Sequence, residues 1–277
     1  MVAARFNSAA GAACAALLWW TASGFDLSRR PALEPEAARA LWDRADAARG
    51  AGRIDEGLSA VARLLASFPG EPRYLGFQAE LFELARRPRD AARSWELYLR
   101  VSPTPAEACP ALGIDYVAAG EVERGLDADR RCYGLDPSKT DLMVAYALSL
   151  ERVGRDDEAA PLLREALRRS PEDADAAVIL SRLALKKGDL DEAGRIVSAA
   201  ATLRPADSDV LLAAARVAEA RGDLTEARAR LEAALRVNPG YADVRRVLAR
   251  VLDKSGDAEG ARRARAAAAE SDAEAGR

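Results

Sequence analysis

The chain has 277 residues, of which 49% are hydrophobic and 31% charged, so it is expected to fold rather than stay disordered. Only 5% are aromatic, which favours a core of Ala, Leu and Val in closely packed helices over a β-sandwich. Histidine is absent and the net charge is −3, which excludes a Ser-His or Cys-His catalytic pair, a His-ligated metal or haem, and a general basic surface for nucleic acid.

Residues 6–25 carry no charge. As a helix of about 20 residues they would span roughly 30 Å, the thickness of a bilayer core. Thr21-Ala22-Ser23 supplies a small-residue cleavage site. Residues 1–30 therefore read as an apolar leader, either an export signal or a membrane anchor. The other reading is an Ala-rich helix that covers the open face of the helices after it.

From there the chain repeats. Proline stands at Pro35, Pro69, Pro103, Pro137, Pro171, Pro205 and Pro239, each 34 residues after the last. Ten residues after each proline comes a small residue: Ala45, Ala79, Gly113, Ala147, Ser181, Ala215 and Ala249. Seventeen after it comes Gly52, Gly120, Gly154, Gly188, Gly222 or Gly256, with Arg86 as the exception. Twenty-two after it comes Gly57, Ala91, Gly125, Ala159, Ala193, Ala227 or Ala261. In the unit after Pro205, apolar spacing predicts a first helix over 208–221, ended by Gly222. Asp223 and Glu226 then cap and charge a second helix, which Pro239 stops. The two small columns let the paired helices approach closely.

These columns resemble those of the tetratricopeptide repeat (TPR) family. The resemblance covers about residues 35–273 and implies an all-α, right-handed superhelical solenoid of antiparallel helix-turn-helix repeats behind an N-terminal apolar helix. The array of seven 34-residue units occupies residues 36–273. Its third unit departs from the pattern. Asp129 stands where a large apolar residue belongs, and Pro110 falls inside the first helix, where it kinks that helix or delays its start. Cys109 and Cys132 lie on the two helices of the same unit, as a disulfide or as two small core residues. At the far end Arg265 replaces an apolar residue on a solvated capping helix over 257–270. Residues 271–277 fray, with a disordered tail at 274–277.

No CxxC pair, GxGxxG, P-loop or GxSxG motif is present, so no enzyme, metal or cofactor is expected. The resemblance places ligands on the first helices. There, the column eleven residues after each proline reads Asp46, Glu80, Ile114, Leu148, Arg182, Arg216, Arg250: acidic, then apolar, then basic. Trp42, Val117, Val144, Val178 and Leu185 extend the groove. Arg182, Arg216 and Arg250 form a ladder suited to carboxylates. Asp175, Asp209 and Asp243, seven residues earlier, and Glu219 and Asp253, three later, compensate it in part. The expected function is a non-catalytic scaffold that binds a protein or peptide with an acidic segment, at a bacterial cell envelope, with membrane contact through residues 6–25. The alternatives are a structural subunit of a larger assembly or homo-oligomer, and a cytoplasmic location.

Overall fold

A computed structural model describes residues 33–275, so the leader at 1–30 lies outside the described residues. Among the described residues there are fourteen α-helices and no strand. They fall into two compact units that meet in sequence between Ala108 and Cys109. The first holds α1 (Pro35–Gly50), α2 (Ile54–Ser67), α3 (Pro72–Leu84), α4 (Pro88–Val101) and a 3-10 turn at Pro105–Ala108. The second holds α5 (Cys109–Ala118), α6 (Val122–Leu135), α7 (Thr140–Arg152), α8 (Asp156–Arg169) and α9 (Ala174–Lys187). It continues with α10 (Leu190–Leu203), α11 (Ser208–Ala220), α12 (Leu224–Val237), α13 (Ala242–Lys254) and α14 (Ala258–Ala275). Within each unit every helix packs on the next, so the chain builds a stack of antiparallel hairpins. In the second unit the first helices of successive hairpins, α5, α7, α9, α11 and α13, also touch one another and form one layer.

The repeat columns account for this packing. Ala45, Ala79, Ala147 and Ala215 are fully buried, as are Ala91, Ala159, Ala193, Ala227 and Ala261. The two columns meet within a hairpin: a Cβ on Gly125 would lie 3.1 Å from the carbonyl oxygen of Gly113. A large side chain at either column would hold the helices apart. All six glycines of the turn column are left-handed, with φ from 70° to 87°, and Arg86 takes φ 55° in their place. Asp189, Asp223 and Asp257 each accept a backbone N–H three residues on, at 2.8–2.9 Å, and so cap the second helices.

As expected of Pro110, the first helix of the third unit starts late: α5 begins at Cys109, after the 3-10 turn, and runs only ten residues. One end differs from expectation. The expected frayed tail is instead helical as far as Ala275. Arg245 donates to the carbonyl oxygen of Ala267 at 2.8 Å and to the Ser271 hydroxyl, and Arg246 pairs with Asp272 at 2.8 Å. These bonds hold the last turns against α13. Arg265 is solvated as expected and pairs with Asp253.

Candidate functional site

In the second unit, α5, α7 and α9 line a groove of about 490 Å³, with Asp209 of α11 at its edge. Helical spacing puts Ile114, Val144, Leu148 and Val178 on the lining of this one groove. Ile114 is 65% exposed, a large apolar side chain left in water, whereas Val144 is nearly covered. The Cys109–Cys132 disulfide joins α5 to α6, with the two Cα atoms 5.7 Å apart, and Cys109 contributes to the lining.

Of the ten residues expected in a groove, the structure brings Ile114, Val144, Leu148, Val178 and Arg182 together. Val117 sits against Gly125 at the hairpin seam, and Leu185 packs on Ala184, Ala193, Val197 and Val217. Trp42 belongs to the first unit. It lines a separate depression of about 430 Å³, with Phe77 at 4.8 Å and the Arg73 guanidinium stacked 3.9 Å over its ring.

The arginine ladder is mostly occupied from within. Arg182 donates through Nε and Nη2 to the two carboxylate oxygens of Glu151, at 2.7 and 2.5 Å. Arg250 does the same to Glu219, at 2.7 Å twice. Each glutamate takes a second cation, Lys186 at 3.1 Å and Lys254 at 2.8 Å. Burial pushes the Glu151 carboxyl up, but Arg182 and then Lys186 outweigh it and leave it below the usual range. Hydrogen bonds from Arg250, against burial and with help from Lys254, hold Glu219 at about 2.

These pairs join the position fourteen after one proline to the position eleven after the next. Opposite Arg216 that rule places Leu185, so Arg216 makes no ion pair among the described residues. The compensation expected of Asp243 and Asp253 goes to other arginines than Arg250: Asp253 pairs with Arg265 on α14, and Asp243 pairs with Arg246 within α13 at 2.5 Å.

Asp175 and Asp209, expected on this face as partial compensation of the ladder, line the groove, and Asp141 and Asp173 join them without having been anticipated; Asp141, Asp175 and Asp209 each stand four residues after their proline. Asp173 is committed to capping α9, where it accepts the Ala176 N–H at 2.9 Å, and Asp209 accepts the Tyr241 hydroxyl. Burial, then the charges of Asp173, Asp209 and Asp207, push the Asp175 carboxyl up. The recurrence of Asp at one column in successive units was the signal available for this set.

Asp129 on α6 also reaches the groove. It is only 6% exposed, and burial raises its carboxyl to about 6, opposed by a hydrogen bond from Ser149 and the charge of Arg152. Gly113 makes room for it, since a Cβ there would overlap the Asp129 carboxylate.

A family profile described as Tetratricopeptide repeat matches residues 43–108 and 144–208, and a second profile of the same description matches residues 218–276. Among solved structures, a tetratricopeptide repeat protein from Parabacteroides merdae is 14% identical and superposes with a TM-score of 0.60, over 85% of this chain and 95% of that one. TTC0263, a thermophilic TPR protein in Thermus thermophilus, is 21% identical with a TM-score of 0.55, over 66% and 99%. A chain of the APC/C hetero-tetramer Cut9–Hcn1 is 16% identical with a TM-score of 0.61, over 83% of this chain and 46% of that one. At these identities the likeness is one of fold. No curated protein matches the chain.

Proposed function

Because the chain belongs to the tetratricopeptide repeat family, a fold of protein interaction, we propose that it is a non-catalytic scaffold whose second unit seats a segment of a partner protein in the groove of α5, α7 and α9. One observation carries this reading. Ile114 stands 65% exposed on the lining of a groove whose other apolar members, Val144, Leu148 and Val178, come from the two following hairpins. An apolar surface spread over three repeats suits an extended or helical segment better than a small metabolite. The acidic partner expected of the ladder meets a reduced seat, because Glu151 and Glu219 already occupy Arg182 and Arg250, and of the three only Arg216 makes no ion pair among the described residues.

The test is photo-crosslinking in cells from position 114, compared with position 168 on α8, where the side chain is 71% exposed. A partner band from position 114 that disappears with Leu148→Asp supports the groove. Equal labelling from both positions would overturn it. A purified chain that elutes as a stable oligomer closed over Ile114 would favour the assembly-subunit reading instead.

The location proposed is the cell envelope. Two observations support it: the uncharged run at residues 6–25, and a disulfide, which persists in oxidising compartments. Among the described residues no helix is long and apolar enough to cross a membrane; the proposed membrane contact rests on the uncharged run at residues 6–25. Mass spectrometry of the N-terminus after cell fractionation tests this. Intact Met1 in the soluble cytosolic fraction would overturn it.

A further inference from the structure

The groove is apolar along α5, α7 and α9, but the charge on its lining is one-sided. Five aspartates, Asp129, Asp141, Asp173, Asp175 and Asp209, line it against two arginines, Arg152 and Arg182. Arg182 is already neutralised by Glu151. Asp129 is more than nine-tenths buried and accepts the Ser149 hydroxyl, so it adds its charge to the lining without offering an exposed carboxylate.

We propose that the segment seated in this groove carries a lysine or arginine between apolar residues, with its cation drawn to the end of the groove where Asp141, Asp175 and Asp209 lie, each four residues after its proline. This deepens the reading of the groove as a partner-binding site and rests on it. The apolar residues cover Ile114, Leu148 and Val178, and the cation supplies the charge that the lining lacks. A hydrogen bond from an ammonium or guanidinium to a carboxylate is among the stronger neutralising contacts available to a peptide. The upward push on Asp175 from Asp173, Asp209 and Asp207 is relieved when a cation enters. The groove thus prefers the opposite charge from that expected of the ladder, since Arg182 and Arg250 are spent within the fold and Asp141, Asp175 and Asp209 are exposed.

The probes are three fluorescent synthetic peptides with one central residue, Lys, Gln or Glu, set between leucines. Each is titrated against the full, oxidised chain by anisotropy at neutral pH. The Lys peptide is expected to bind about tenfold tighter than the Gln peptide, equivalent to about 1.4 kcal/mol, and the Glu peptide weaker than both. The preference should shrink as salt rises from about 0.05 to about 0.5 M. The triple variant Asp141→Asn, Asp175→Asn, Asp209→Asn should lose the preference but keep the Gln peptide. Circular dichroism confirms that the triple variant and Ile114→Asp remain helical.

If Lys and Gln peptides bind equally, and both are lost with Ile114→Asp, the charge proposal falls and the groove stands. If the Lys preference survives the triple variant, the aspartates are not its source and the proposal falls. If no peptide binds, or Ile114→Asp changes nothing, the groove reading falls and takes the proposal with it.

Discussion

Arg250 closes on Glu219, thirty-one residues earlier in the chain, through two parallel hydrogen bonds of 2.7 Å. Arg182 and Glu151 repeat the same clasp at the same separation. In both pairs the glutamate side chain is only 7% exposed, while the arginine stays partly in water. The guanidinium therefore answers a carboxylate that the stack has already buried. That makes the two arginines structural, and it distinguishes them from Arg216, which faces Leu185 in the corresponding arrangement.

Arg182→Ala should consequently lower stability by about 1–3 kcal/mol, because Glu151 would keep only Lys186. Arg216→Ala should change stability by less than about 0.5 kcal/mol. Chemical denaturation of the two variants side by side checks this, and equal losses would remove the distinction.

Asp129 sets a second expectation. Its folded carboxyl titrates near 6, against 3.8 for an ordinary aspartate, chiefly because burial disfavours the charge. The folded state thus holds the proton more tightly than the unfolded chain. The contribution of this group to stability is greatest below about pH 4, falls as pH rises through about 6, and is then flat, a loss of roughly 3 kcal/mol. Asp129→Asn should remove that loss. Melting curves should show the variant more stable than the parent above pH 7, with the gap closing towards pH 4.

The Cys109–Cys132 bond closes a loop of sequence separation 23. Loop-closure entropy alone gives it about 3 kcal/mol. Reductant should lower the melting temperature of the parent and leave a Cys109→Ala, Cys132→Ala double variant unchanged. An identical curve for the parent with and without reductant would count against the bond as a stabiliser.

Arg86 holds φ 55° where the other six turns use glycine. A left-handed non-glycine residue costs about 1–2 kcal/mol, part of which glycine returns as unfolded-state entropy. Arg86→Gly should raise stability by up to about 1 kcal/mol in a urea titration. Ala227→Leu should act in the other direction, since Ala227 is fully buried in the hairpin seam and overpacking costs about 1–3 kcal/mol.

The hairpins were legible in the sequence because their determinants are local. A proline exit, a left-handed turn and two small columns each act within a few residues, and they recur often enough to be read. The apolar groove residues Ile114, Val144, Leu148 and Val178 were legible for the same reason. The charge pairing was not. Compensation was sought along single helices, at Asp175 or Asp253, whereas Glu151 and Glu219 act across to the next hairpin, a distance that only packing sets. The end of α14 failed similarly. Ser271 and Asp272 read as a polar tail, but Arg245 and Arg246 on α13 capture them. Asp129 was visible as a mismatch; its access to the groove past the bare Cα of Gly113 was not.

The disulfide sits in the hairpin with the shortest first helix, α5, and with two buried aspartates, Asp115 and Asp129. Electrons supplied to that bond would therefore remove the covalent tie from the hairpin whose first helix is the shortest. A repeat array in which every other joint depends only on its neighbours carries in this hairpin a fuse, and the chemistry of the surrounding compartment decides whether it stays intact.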